Sequence, residues 1–254
     1  SHRDIFKQLE DSREEAVFLH INSPGGSADA SELLYQAIER LAEKKPVIAL
    51  LGEVAASGGY YAASAAHRIY GAGSTITGSI GVVMMRPNFK GLYKHSRVKK
   101  ERIAFDRTRD LFSDADDLSR PARDLVDRHL KESYQTFLER VARGRNAQIR
   151  QVERVAEGRI WSGIRFAGLG MIDGVMDFVD ALDEYRAVAG YREHQEFSVF
   201  FYPAVKADVR SVVSPRLPIP GLSAVERLLP LAGLFTERRA AVYAFDPVAA
   251  SIRN

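Results

Sequence analysis

Cysteine is absent from all 254 residues, which excludes disulfides, thiolate catalysis and cysteine-ligated zinc together. That absence fits any redox compartment and so does not place the protein. Long apolar runs are missing too. Nothing approaches the roughly eighteen consecutive apolar residues of a membrane-spanning helix. Charge of one sign is scarce: the sequence pI is near 9.1, but the net charge is only +3, too little to imply a nucleic-acid partner. The opening "SHRDIFKQLEDSREE" lacks the apolar stretch of a signal peptide and reads as a segment from inside a larger protein. What remains is 46% hydrophobic and 27% charged, an ordinary globular balance with enough apolar residues for a sizeable core.

Periodicity gives the architecture. Ala16 to Ile21 is a short β-rich run that ends at the turn signal "NSPGG". From Ala30, the residues Leu33, Leu34, Ala37, Ile38 and Leu41 recur at helical spacing until Pro46 stops them. Val47 to Leu51 reads as a second buried strand, and "YYAASAA" as a small-residue helix. Further strands are predicted at Arg68 to Tyr70 and Ile80 to Met84. The alternation of strand and helix predicts an α/β layered fold with parallel strands. A long helix is expected over Arg120 to Arg143, with Pro121 near its start and Gly144 after its end. A shorter helix is expected over Ala147 to Ala156. Beyond about Gly190, Pro203, Pro215, Pro218, Pro220 and Pro230 separate short apolar pieces. That tail reads as an extension wrapping a neighbour or a surface, not as a second core.

Two Gly-Gly pairs carry the chemical signal. "VAASGGYYAAS" places Ser57 between a strand and a helix, where a sharp turn exposes a side chain and aims helix N–H groups at its surroundings. Gly25 and Gly26 end the preceding strand in the same manner. Acyl transfer needs a nucleophile and two donors set for the developing oxyanion. Either pair alone is most simply a tight turn; at the ends of buried strands in consecutive units, the two together point to a site.

"INSPGG", "AASGGYY" and "TITGSIGVV" resemble, in order, the serial motifs of the signal peptide peptidase A (protease IV) family of serine peptidases. The resemblance runs from about Asp4 to Ala189 and includes "GRIWSG" downstream. It implies a ClpP/crotonase-like spiral of ββα units with a C-terminal helical extension. Residues 1–190 would form the peptidase domain, lacking the family's first strand, and 191–254 an extension that contacts an oligomer or a membrane surface. By motif match, Ser57 is the nucleophile, Gly26 and Gly58 supply the oxyanion-hole amides, and Ser79 orients the general base. No metal or organic cofactor is implied. The family's base is a lysine, whose position falls here on Arg109, and arginine stays protonated in proteins. In the long, two-half form of the family the lysine comes from the N-terminal half and the serine from the C-terminal half. This chain resembles such a C-terminal half, and "AVYAF" resembles that form's ending.

The resemblance therefore implies a peptide substrate, a homo-oligomer or a homologous N-terminal half as partner, no nucleic acid, and a place at the extracytoplasmic face of a bacterial inner membrane. Other candidate bases are Lys90, Lys94, Lys99, Lys100 and His67. The lysines lie in Arg86 to Arg102, where seven Lys/Arg meet one Glu. That stretch reads as a solvated face or as a patch for anionic lipid. "GLSAVERLLPLAGLF" (Gly221 to Phe235) is apolar enough for a membrane interface or an oligomer contact. Val82, Val83 and Met84 are expected to offer an apolar edge to an extended peptide. Two other function classes compete: a non-catalytic structural, peptide-binding half, and acyl-CoA chemistry on the shared fold.

Overall fold

A computed structural model of the chain describes residues 2–100, 110–111, 113–189, 198–202 and 241–246. It opens with helix α1 (His2–Asp11) and strand β1 (Ala16–Ser23), followed by α2 (Ala28–Ala42), β2 (Val47–Ala56) and the short α3 (Gly58–Ala63). Strands β3 (Arg68–Gly71) and β4 (Ile76–Gly78) come next, then α4 (Lys90–His95), α5 (Arg120–Gly144) and α6 (Ile149–Glu153). The described chain is completed by β5 (Ile160–Ser162), α7 (Gly163–Gly168), β6 (Gly174–Val175), α8 (Phe178–Val188), β7 (Ser198–Tyr202) and β8 (Ala241–Asp246).

Strand β2 organises the sheet. It pairs in parallel with β1 along one side, while on the other its first half takes β3 and its second half β4. β6 continues in parallel from β3, and β5 closes antiparallel on β4. One strand thus feeds two diverging branches, which curls the mixed sheet of this α/β fold. Alternation sorts the side chains of β1. Val17, Leu19 and Ile21 face the main core with Ile38, Leu41, Tyr60, Phe137 and Leu138. Ala16 and Phe18 face a second, smaller core with Ala181 and Leu182 of α8, where Phe18 meets Phe178 edge to face at 5.6 Å.

Most predicted elements form near their expected bounds, with exceptions at β2, β4 and α6. Strand β2 runs five residues beyond Leu51, across a register shift between Ile21 and Ser23 of β1. Asn22 bridges the irregularity: its Oδ1 accepts the Val54 N–H at 3.1 Å, replacing a ladder bond that the bulge removes. The strand expected at Ile80 to Met84 does not form. The paired segment is Ile76–Gly78 instead, because Gly78 (φ 80°) and Ser79 (φ 50°) turn the chain out of the sheet. Helix α6 is also shorter than the span expected from Ala147 to Ala156.

Two described segments of the tail are strands of the sheet: β8 pairs antiparallel with β1, and β7 pairs with β8. "AVYAF" lies within β8. The segment Gly221 to Phe235 lies outside the described residues.

Candidate active site

The carboxyl ends of β1 and β2 lie side by side because the strands are parallel and registered. β2 passes into α3 through Ser57 alone and β1 into α2 through a four-residue loop, 24–27, so the starts of α2 and α3 are neighbours. Ser57 is the residue between β2 and α3, half-buried, with φ 50° and ψ −121°. An L-residue avoids that conformation, at about 1–3 kcal/mol, unless its surroundings impose it. Here they do. The Ser57 N–H donates to the Gly78 carbonyl at 2.8 Å, and its own carbonyl accepts the Tyr61 N–H at 2.8 Å. Its hydroxyl does not cap α3, so the oxygen is left for other partners.

Gly25 lies directly against this turn. Its φ is 108°, and a β-carbon there would come within 2.7 Å of Ser57 Cβ and 2.8 Å of Gly58 N. The two loops can approach this closely only if that residue has no side chain. Gly58 is confined in turn, since a β-carbon on it would collide with Ser31 Oγ and stand 3.4 Å from Gly26 N. The Gly26 and Gly58 backbones are therefore adjacent. Among the described residues neither amide has a hydrogen-bond acceptor, whereas the Gly25 N–H is taken by Ser23 Oγ at 3.2 Å. At Gly26 itself a β-carbon would meet nothing within 4 Å.

Ser79 follows Gly78, the residue bonded to Ser57, and is half-buried with φ 50°. Its N–H donates to the Arg159 carbonyl at 2.7 Å, which ties the "TGSIG" turn to the "GRIWSG" segment. Ser57, Gly26, Gly58 and Ser79 thus come together from three separate motifs. Arg109 lies outside the described residues.

Three of the other candidate bases are engaged elsewhere. His67 Nδ1 accepts the Val47 N–H at 3.2 Å, at the amino end of β2. Ten strand residues separate Val47 from Ser57, about 30 Å. Lys90 pairs with Asp117, and Lys100 pairs with Asp114 and reaches Tyr93. Those hydrogen bonds hold both ammonium groups above their ordinary pKa, the opposite of what a general base needs. Burial lowers the pKa of Lys45, but its ammonium is bound to the Leu9 and Ser12 carbonyls, again at the amino end of β2.

Sequence reasoning named Gly25 only as half of its pair, without its steric role, and passed over Ser31 and the polar group behind α3. Gly25 had a visible signal, as the first glycine of its pair. The roles of Ser31 and of Glu32, Tyr61 and Arg140 depend on contacts between helices that no local pattern encodes.

The profile of the family described as Peptidase family S49 matches residues 39–192. The chain belongs to peptidase family S49. Protease 4 of Haemophilus influenzae is 34% identical over 238 residues, covering 91% of this chain and 38% of that protein. The chloroplastic serine protease SPPA of Arabidopsis thaliana is 39% identical over 167 residues, 65% of this chain and 25% of that protein. A protein named as a putative signal peptide peptidase SppA, from Enterococcus faecium, is 29% identical over 191 residues, 73% of this chain and 56% of that protein. The S49 chain thus spans between a quarter and somewhat over half of these relatives. Among solved structures, a ClpP1 mutant from Listeria monocytogenes is 14% identical, with a TM-score of 0.47 over 70% of this chain and 85% of that one.

Proposed function

We propose that this S49 chain is the serine-bearing domain of an endopeptidase that cleaves apolar peptides, such as remnant signal peptides, by a Ser/Lys mechanism. The observation that carries the reading is the strained Ser57 at the start of α3, beside the adjacent Gly26 and Gly58 amides. Ser57 Oγ attacks the scissile carbonyl carbon and its proton passes to a lysine amine. The carbonyl oxygen, now negative, is held by the two amides. Collapse of the tetrahedral intermediate breaks the peptide C–N bond and expels the leaving peptide amine, which takes the proton from the lysine ammonium. Water, giving a proton to the freed lysine amine, then displaces the acyl group from Ser57 Oγ. Ser79, beside Ser57, orients the amine. The lysine comes from outside this chain, from a homologous half or a neighbouring protomer, because Arg109 cannot deprotonate a serine at neutral pH.

The apolar character of the substrate is supported by the segment leaving Ser79. Val83 is 88% exposed and Met85 90%, with Met84 between them. A leucine-rich peptide is expected to be cleaved in preference to an acidic one. Among the described residues no helix is long and apolar enough to cross a membrane. The membrane-associated, extracytoplasmic location implied by the family resemblance remains part of this proposal.

The test combines a fluorophosphonate probe with complementation. The chain alone is expected to cleave peptides slowly, and a lysine-bearing homologous half to raise turnover by about 10²–10⁴-fold, the usual worth of a general base. Ser57→Ala abolishes both labelling and cleavage, whereas Arg109→Ala leaves most of the complemented activity. Fast cleavage by the chain alone, lost on Arg109→Ala, overturns the base assignment. Absence of labelling and turnover under every condition favours the non-catalytic, peptide-binding half.

A further inference from the structure

Glu32 sits on the first turns of α2, one residue beyond the Ser31 that rests on Gly58. Its carboxylate accepts the Tyr61 hydroxyl, Arg140 Nε at 3.2 Å, Arg140 Nη2 at 2.5 Å and Gln36 Nε2 at 2.7 Å. Three helices meet at this one group: α2 through Glu32 and Gln36, α3 through Tyr61, and α5 through Arg140. The Arg140 guanidinium also covers the Tyr35 ring at 4.8 Å. Tyr35 meets Tyr61 edge to face at 5.7 Å, and Tyr61 packs on Phe137 at 4.6 Å.

The position of this joint relative to Ser57 is what matters. Tyr61 is one helical turn beyond Ser57 and donates its N–H to the Ser57 carbonyl. A six-residue helix cannot hold its own geometry, and a strained residue persists only where its surroundings over-determine it. Charge-assisted hydrogen bonds from a planar guanidinium are among the stiffest side-chain links a protein makes. We infer that Glu32, acting through Tyr61 and Arg140, is a positioning residue for the site: it fixes the spacing between the start of α2, near Gly26, and the start of α3, which carries Gly58 and follows Ser57. The inference rests on the proposed roles of Ser57, Gly26 and Gly58. Glu32 itself touches no reacting atom; it acts on the geometry of the two amides.

Tyr61→Phe is the sharpest test, since it removes one hydroxyl and keeps the ring against Tyr35 and Phe137. In the chain complemented with its lysine-bearing half, kcat should fall by roughly 10- to 100-fold, the scale of a misplaced reacting group, with KM within twofold of the parent. Glu32→Gln should act in the same direction, and Arg140→Lys should keep more activity than Arg140→Met. In the uncomplemented chain, the 15N-glycine amide resonances of Gly26 and Gly58 should move on Tyr61→Phe. A kcat unchanged by Tyr61→Phe overturns the inference. So does a loss confined to KM, or one that tracks thermal destabilisation while both glycine resonances stay put. Ser57→Ala, run in parallel, separates the two levels. Cleavage that survives Ser57→Ala removes the catalytic reading itself, whereas cleavage that needs Ser57 and ignores Tyr61→Phe removes only the role of Glu32.

Discussion

The two ends of the central strands are built from different materials. At the carboxyl ends of β1 and β2, glycines and left-handed backbone press two loops together: Gly25 against Ser57, Gly58 against Ser31, with positive φ at Gly25, Ser57, Gly78 and Ser79. At the amino ends, the connections are held by charged and polar clasps. Lys45 donates to the Leu9 and Ser12 carbonyls, and His67 and Val47 exchange hydrogen bonds. Asp173 accepts Arg145, Arg68 and the Ile69 N–H. The amino end carries stability and the carboxyl end carries strain. A site of the proposed kind, which presents a hydroxyl and bare amides, cannot satisfy those groups internally, so its rigidity has to come from close backbone contact and from joints set one layer back.

The largest expected break in this contrast is at Gly25. Gly25→Ala forces a β-carbon into Ser57 Cβ at a φ that L-residues avoid. It should lower complemented turnover by about 10²-fold or more, as losing an oxyanion donor does. Gly26→Ala keeps its N–H and meets open space, so steady-state kinetics should find it within several-fold of the parent. Equal losses at both glycines would mean that the loop is tuned for something other than the Ser57 contact.

The amino end should fail in stability and spare the chemistry. Arg145 is 5% exposed and Asp173 18%. Arg145→Met leaves the carboxylate short of its main partner and should destabilise by about 2–3 kcal/mol in denaturant unfolding. Fluorophosphonate labelling per folded molecule should not change.

The same carboxylate sets an acid limit. Burial pushes the Asp173 pKa up, but the hydrogen bond and charge of Arg145, with Ile69 N–H and Arg68, bring it below its ordinary 3.8. A folded-state pKa below the unfolded one means stability that is fully present above about pH 3.8 and lost as pH falls through the lowered value. Thermal unfolding of the parent should therefore weaken steeply below that pH, and Asp173→Asn should flatten that part of the profile.

The smallest effect separates strain from chemistry at a single position. Ser57→Gly relieves the positive φ and Ser57→Ala does not, although both remove the hydroxyl. The glycine variant should be more stable than the alanine variant by about 1 kcal/mol, less the extra entropy of its unfolded chain. A more stable alanine variant would show that the turn is not strained.

Several layers of this protein are legible without coordinates. The parallel strands β1 and β2 follow from short apolar runs bounded by turn signals, and α2 and α5 from helical spacing closed by a proline or glycine stop. The positions of Ser57, Gly26 and Gly58 at turns follow from glycine pairs at strand ends, a local signal because glycine's backbone freedom is a local property, whereas Ser79 is marked only by the motif resemblance. Other features were out of reach. The missing strand after Ile80 depends on Gly78 and Ser79 turning away toward Arg159, a contact eighty residues distant. The joining of β8 to β1 depends on which sheet edge stays unpaired after the rest has folded.

Sequence by itself determined the family, the α/β class and the residue types available for chemistry, because periodicity, turn residues and serial motifs are written along the chain. Only the tertiary structure decided that Gly25, and not Gly26, is the sterically intolerant glycine. It also decided that the lysine with a burial-lowered pKa, Lys45, faces the wrong end of the sheet, and that Glu32 joins three helices behind Ser57. Those are facts of distance between residues far apart in sequence, and distance is fixed by packing.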